Sequence, residues 1–227
     1  SGMPDPYKSF QHIMPRNHLK RFADLKNLPN VFQGLEGARS FNAFEYFGNS
    51  NPITLELACG KGEYAVELAK KYPQKNFIGI DRKGNRIWKG ARIAVDEGLK
   101  NAVFFRLDIE LIGDVFDENS ISEIWIAFPD PYPKTKQAKK RLTSPQYLQI
   151  YKRILTNGGL IHLKTDSEIL LESTLKSLER EDMWLVKRYD DIHLEPPDDN
   201  ALAIKTRYEE GFLESGRKIK YLCISKS

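Results

Sequence analysis

The sequence predicts an α/β protein: an open, mainly parallel sheet with helices on both faces and an antiparallel pair at its C-terminal end. Three observations carry the prediction. From residue 53 onward, short apolar runs alternate with amphipathic runs of helical period. A loop with two glycines, ELACGKG (56–62), separates the first strand-like run from the first helical one. The last two strand-like runs are divided only by ESGR (214–217), short enough for a hairpin.

The elements follow in order. ITLELA (53–58) reads as a strand and GEYAVELAKKY (62–72) as a helix. NFIGID (76–81) is a strand, GNRIWKGARIAVDEGL (84–99) a helix and AVFFRLD (102–108) a strand. ISEIWIAF (121–128) is a strand, SPQYLQIYKRIL (144–155) a helix and GGLIHLKT (158–165) a strand. SEILLESTLKSLERE (167–181) is a helix and MWLVKRY (183–189) a strand. After the polar EPPDDN (195–200), two more strand-like runs are expected around TRYEEGFLESGRKIKYLCIS (206–225). Strands alternating with helices build βαβ units, and these build parallel sheets.

Residues 1–30 carry Arg16, His18, Lys20, Arg21 and Lys26 among four prolines with little periodicity, and predict a mostly extended arm. Ser1 and Gly2, ahead of Met3, read as an expression remnant. The expected organisation is a basic arm over 1–40 and a single domain over 41–227.

Composition narrows the class. Of 227 residues, 41% are hydrophobic and 29% charged, as in soluble globular chains. No apolar run approaches a membrane span and no secretory signal opens the chain, so neither membrane nor export is expected. Two distant cysteines, Cys59 and Cys223, predict no disulfide framework and no metal site, which suits a reducing cytoplasm. Cys59 reads as a small residue fitting a tight turn, and Cys223 as core. The net charge of +4 is too small to name a partner, so the distribution of charge has to decide.

In open α/β sheets ligands sit beyond the C-terminal ends of the strands. Gly60 and Gly62 allow close backbone approach there, and the following helix offers free N–H groups. A pyrophosphate would favour this position in a GxGxxG loop. Here Glu56 and Glu63 flank the loop instead, and carboxylates suit a ligand with cationic groups, such as the ammonium and sulfonium of S-adenosylmethionine. Asp81 ends the second strand, placed for ribose hydroxyls, and Asp108 ends the third, within reach of an adenine edge. A generic nucleotide fold is the alternative.

FPDPYPKTKQAKKRL (128–142) ends the fourth strand. Its prolines stiffen a turn that carries Asp130, and Lys134, Lys136, Lys139, Lys140 and Arg141 follow at once. An acid at the reaction centre beside a cationic loop suits a nucleic-acid substrate. A solvated basic face is the plain alternative. A second basic surface is expected on the 84–99 helix, where Arg86, Lys89 and Arg92 share a face with Arg82, opposite Ile87, Ala91, Ala94 and Val95. His162 reads as a core histidine.

With those residues in view, the chain after the arm resembles the tRNA (guanine-46-N7)-methyltransferases. The match lies in ELACGKG (56–62), GIDR (79–82), RLD (106–108), FPDPYPK and AKKRL (128–142), KTD (164–166) and TRYEEGFLESGRKI (206–219). The proline-rich motif and the T-x-x-E are its specific parts. Tyr132, Gln137 and Asp81 stand where the family more often has Trp, His and Glu. The resemblance implies a Rossmann-like class I methyltransferase fold, with a mainly parallel seven-stranded sheet and a C-terminal antiparallel hairpin. It implies S-adenosylmethionine as cofactor, S-adenosylhomocysteine as product, tRNA as partner and no metal. Glu56, Gly60, Gly62, Asp81, Asp108 and Asp130 would bind or border the cofactor, with Asp130 also catalytic. Lys134, Asp166, Thr206, Arg207, Tyr208 and Glu209 would meet the substrate guanosine or its surroundings. Arg82, Arg86, Lys89, Lys136, Lys139, Lys140 and Arg141 would line the tRNA backbone. Unaided by the resemblance, Asp166 also reads as an acid at a helix N-terminus and Glu209 as a strand-surface acid. Another nucleic-acid amino methyltransferase, or a binding module without catalysis, are the competing functions.

Overall fold

The computed structural model describes residues 16–194 and 201–226; for residues 16–19 and for Arg207 and Tyr208 only the backbone is described. The chain begins with α1 (Arg16–Leu25), β1 (Val31–Gln33), α2 (Gly34–Arg39) and α3 (Ala43–Phe47). The alternating part follows as β2 (Ile53–Leu57), α4 (Glu63–Lys71), β3 (Asn76–Asp81), α5 (Gly84–Asp96), β4 (Ala102–Arg106) and β5 (Ile121–Ala127). It closes with α6 (Pro145–Ile154), β6 (Leu155–Thr165), α7 (Glu168–Glu181), β7 (Met183–Tyr189), α8 (Arg207–Glu214) and β8 (Lys220–Lys226). One sheet holds all eight strands in the order β1-β4-β3-β2-β5-β6-β8-β7. Pairing is parallel from β1 to β6, and β8 runs antiparallel between β6 and β7.

Strand alternation sorts side chains into two cores, one per face. Leu55, Leu57, Ile78, Ile80, Val103, Phe105, Ile124, Ile126, Ile161 and Leu163 point to the face covered by α2, α3, α6 and α7. Phe77, Phe104, Trp125, Tyr221 and Cys223 point to the face covered by α4 and α5. On that second face Trp125 lies flat between Tyr64 and His162, with ring centroids 5.1 and 4.2 Å away. His162 is buried as expected, its Nδ1 2.8 Å from the Tyr221 hydroxyl.

Three expectations change. First, residues 16–25 of the expected extended arm form a helix, whose Leu25 is wholly buried against the second core. The Trp88 indole of α5 donates to Asp24 at 2.6 Å, and Arg21 lies over the Trp88 ring. Second, β1 joins the sheet beside β4 as an eighth strand where seven were expected, and Ala38 and Phe47 share one core, so a boundary at residue 40 would cut through packed structure. Residues 1–15 lie outside the described part. Third, the run starting at Thr206 is helix α8 and not a strand, so ESGR closes no hairpin. The antiparallel pair exists, but β7 supplies the partner of β8 across the long 190–219 connection. The cause is a cap: the Thr206 hydroxyl accepts from the Glu209 N–H at 3.2 Å, as T-x-x-E does at helix starts.

Candidate active site

Because β2, β3, β4 and β5 are parallel and adjacent, their C-terminal ends form one edge. The registers level them: Leu57 lies opposite Ile80 and Ile126, and Asp81 opposite Arg106. The loops carrying Gly60, Asp81, Asp108 and Asp130 therefore leave the sheet side by side.

The loop after β2 is held by its neighbours. Cys59 N–H donates to the Ile80 carbonyl at 3.0 Å, and Gly60 N–H donates to Asp81 Oδ2 at 3.0 Å. Asp81 Oδ1 accepts from Lys83 N–H at 2.8 Å, so one carboxylate fixes two loops. Gly62 begins α4 in the left-handed region (φ 69°), where a Cβ would lie 2.4 Å from the Phe104 ring. Cys59 is buried, and burial pushes its thiol well up, in keeping with a packing role.

Glu56 packs against the start of α4. It is 5% exposed, and its Oε2 accepts from Ala65 N–H at 2.8 Å in the first turn of α4. Burial, with the Glu63 and Asp81 charges adding to it, raises its carboxyl to about 8. Through that bond it ties the end of β2 to the first turn of α4.

The loop after β5 is strained at both ends. Phe128 (φ 51°) and Tyr132 (φ 42°) occupy the left-handed region that residues with a Cβ avoid. Between them Asp130 is exposed, and its carboxylate forms no hydrogen bond or ion pair with a described residue. Lys134 opens a 3-10 turn (Thr135–Lys140), and Lys134, Lys136, Lys139 and Lys140 are all exposed. Arg141 departs from expectation. It is 7% exposed and donates from Nε to the Pro131 carbonyl at 3.1 Å and from Nη2 to the Tyr132 carbonyl at 2.9 Å. A guanidinium so placed is not a surface contact for phosphate.

Glu209 departs further. It is fully buried, with Oε2 2.6 Å from Lys164 Nζ and Oε1 3.1 Å from His193 Nε2. Lys164 is equally buried and also donates to the Leu202 and Ile204 carbonyls. Burial pushes the Lys164 ammonium below the ordinary lysine value, and the Glu209 charge works against that shift. Both oxygens of Glu209 are taken inside the protein, so it offers no carboxylate to a guanine edge. Thr206, 6% exposed, is occupied as the cap of α8. Lys164 and His193 escaped the sequence reading; the K of KTD was the signal for the first. Asp166 is half-buried at the end of β6, its Oδ2 2.6 Å from Arg217 Nη1; the cap of α7 is Ser167.

On α5, Arg86 and Lys89 are half-buried and Arg82 is exposed, while Arg92 pairs with Asp96. Exposed Lys20, Arg21 and Lys26 of the docked α1 segment extend this surface. Among the described residues, no group of three or more His, Cys, Asp or Glu side chains is arranged to hold a metal, and no helix is long and apolar enough to cross a membrane.

Comparison with known proteins places this geometry. A family model described as "Putative methyltransferase" matches residues 50–222. The tRNA (guanine-N(7)-)-methyltransferase of Christiangramia forsetii is 46% identical over 91% of this chain and 96% of its own. The chain belongs to the tRNA (guanine-N7)-methyltransferase family. A Bacteroides fragilis member is 41% identical over 92% of this chain and 85% of its own. Among solved structures, the 16S rRNA methyltransferase KamB shares the fold with a TM-score of 0.63 at 13% identity, over 82% of this chain and 94% of its own.

Two tests follow for this family member. Between pH 4.5, the ordinary carboxyl value, and about 8, folded Glu56 keeps a proton that the unfolded chain has lost, so its contribution to stability falls as pH rises and levels off above about 8. Glu56→Gln keeps the acceptor for Ala65 and removes the titration. Urea midpoints of wild type and variant should diverge in the variant's favour across that window, and parallel profiles would contradict the buried acid. Glu209→Gln strands the buried Lys164 ammonium and should cost about 3–5 kcal/mol in urea unfolding, with Lys164→Met plus Glu209→Leu recovering most of the loss. Wild-type stability in the single variant would show the pair to be solvated.

Proposed function

We propose that this chain transfers a methyl group from S-adenosylmethionine to N7 of guanosine 46 in the variable loop of tRNA, releasing S-adenosylhomocysteine. One observation carries the reading: Asp130 stands unengaged on a strained loop at the end of β5, next to the glycine loop after β2 and ahead of four exposed lysines. Relatives so named, at up to 46% identity over nearly the whole chain, support it.

The residues at the strand ends fit the cofactor. At Gly60 (φ 55°) an added Cβ would meet nothing within 4 Å, so the loop leaves free space at the end of β2. Asp81 keeps lone pairs beyond the two it uses, enough to receive ribose hydroxyls. Exposed Asp108 lies beyond β4 for the base, and Gly60 and Gly62 shape the backbone between. Glu56 acts through α4. S-adenosylmethionine, when bound, supplies a methyl group activated by its sulfonium charge.

The chain's own contribution is alignment. Guanine N7 has a free lone pair, so no general base is needed, and holding the acceptor in line is the main source of rate. Asp130 places a carboxylate where the purine becomes cationic. Lys134, at the head of the cationic turn, and Asp166, at the end of β6, are proposed to border the guanosine, as are Arg207 and Tyr208, whose side chains lie outside the described residues. Lys136, Lys139 and Lys140 on one side, and Arg82, Arg86 and Lys89 on the other, are proposed to follow the phosphates. The N7 edge of a paired guanine lies in the deep, narrow major groove of A-form RNA, so the target nucleotide has to be displaced from its stack. The cytoplasm, where such RNA is met, suits two buried free thiols.

Incubation of tRNA with the protein and methyl-labelled S-adenosylmethionine should yield label that is released by reduction and aniline cleavage, the signature of N7-methylguanosine. Label resistant to that cleavage would point to an amino methyltransferase, and no label to a binding module. Asp130→Asn should lower kcat roughly 10²–10³-fold with the fold intact; near-wild-type turnover at saturating substrates would remove Asp130 from catalysis. Lys136→Ala, Lys139→Ala and Lys140→Ala together should weaken tRNA binding and flatten its log–log salt dependence by up to about 0.9 for each phosphate no longer neutralised, leaving cofactor affinity unchanged. An unchanged slope would make the run a solvated face.

A further inference from the structure

Arg141 stands in sequence at the end of a cationic run, yet the four lysines before it are exposed and it is 7% exposed. A buried cation has to be compensated by hydrogen bonds or an opposite charge. Arg141 forms no ion pair with a described carboxylate. Its compensation is a set of neutral acceptors: the Pro131 carbonyl (3.1 Å from Nε), the Tyr132 carbonyl (3.3 Å from Nε and 2.9 Å from Nη2) and the Ser173 hydroxyl of α7 (2.8 Å from Nη1).

Those carbonyls belong to the segment that needs outside support. Pro129, Pro131 and Pro133 have no N–H, so the loop cannot build hydrogen bonds of its own from alternate residues. Phe128 and Tyr132, at φ 51° and 42°, bracket Asp130 in a conformation that persists only where the surroundings impose it. At the near end the imposition is the Phe128 N–H, which donates to the Lys164 carbonyl at 2.9 Å. At the far end it is the guanidinium. Asp130 lies between the two anchors with no bond of its own to a described residue.

We propose that Arg141 is a positioning residue: its planar fork ties the Pro131–Tyr132 backbone to α7 and thereby holds Asp130 at the reacting centre. The proposal rests on the reading of Asp130 given above. A lysine at 141 keeps the charge, but its three N–H donors all diverge from one nitrogen and cannot reproduce the planar fork of Nε, Nη1 and Nη2. The basic run thus has two parts, an exposed lysine surface facing outward and one arginine turned inward onto the acid-bearing loop.

The test uses Arg141→Lys and Arg141→Ala in the full chain. Measured quantities are kcat and KM for tRNA, S-adenosylmethionine affinity by calorimetry, thermal unfolding, and backbone NMR order parameters at Asp130 and Tyr132. Arg141→Lys should fold and bind cofactor and tRNA as wild type does, while kcat falls about 10²-fold, the loss expected of a misplaced catalytic group. The order parameters at Asp130 and Tyr132 should fall. Guanidinium ion should restore part of the Arg141→Ala turnover, where sodium at equal ionic strength does not. Wild-type kcat in both variants overturns the proposal. A raised KM for tRNA at constant kcat, with a shallower salt slope, overturns it too, because it would make Arg141 a phosphate contact. Should the wild-type protein methylate no guanine N7, the functional reading fails and the order parameters alone decide the clamp: lower values in Arg141→Lys uphold it and unchanged values reject it.

Discussion

Lys164 ties together the parts of the molecule that meet at the C-terminal edge of the parallel strands. Its carbonyl receives the Phe128 N–H at the root of the proline-rich loop. Its ammonium, with no exposed surface, binds Glu209 of α8 and the carbonyls of Leu202 and Ile204, and it lies 5.3 Å from the Tyr64 ring of α4. One residue on β6 therefore fixes the positions of α4, the β5 loop and the α8 segment relative to one another. A charge can occupy the interior here because it is paired and fully hydrogen-bonded; either partner alone would be strongly unfavourable. The cost of separating the pair keeps the C-terminal segment seated on the sheet, where Phe212 packs 5.4 Å from Phe128.

Around that anchor the acids divide by what they touch. Glu56 and Glu209 are interior groups that organise helices, one by receiving the N–H of a first turn and one by neutralising a lysine. Asp81 is intermediate: it bridges two loops and still has acceptor capacity. Asp108 and Asp130 are exposed at the strand ends. A site for a cationic ligand needs this gradation, because carboxylates used for architecture cannot also be free to stabilise charge that appears during a reaction.

The strain in the site is of the same kind. Ala58, Phe128 and Tyr132 all have positive φ, and they lie in the loops after β2 and β5. Such conformations cost roughly 1–3 kcal/mol each, so they persist only under external constraint. The constraints are visible: the Ile80 carbonyl and Asp81 for the first loop, the Lys164 carbonyl and Arg141 for the second. Well-packed neighbours on both faces of the sheet bear that load.

The features legible in residue order are periodic or local. The strands β2 to β6 and helices α4 to α7 were legible because alternation of two and of 3.6 writes burial directly into residue order. The glycine loop and the acids at strand ends were legible because parallel topology sends every such loop to one edge. Two local signals were present but misread: T-x-x-E caps a helix, and Phe212 and Leu213 after it pack against the second core. The three residues of β1 were too few to show a period. Only the tertiary structure decided which charges are interior. Lys164 and Glu209 are 45 positions apart, and Arg141 differs from its exposed neighbours by nothing a one-residue pattern records. Burial of a charge depends on a partner that folding brings close, and that distance is a property of the packed chain alone.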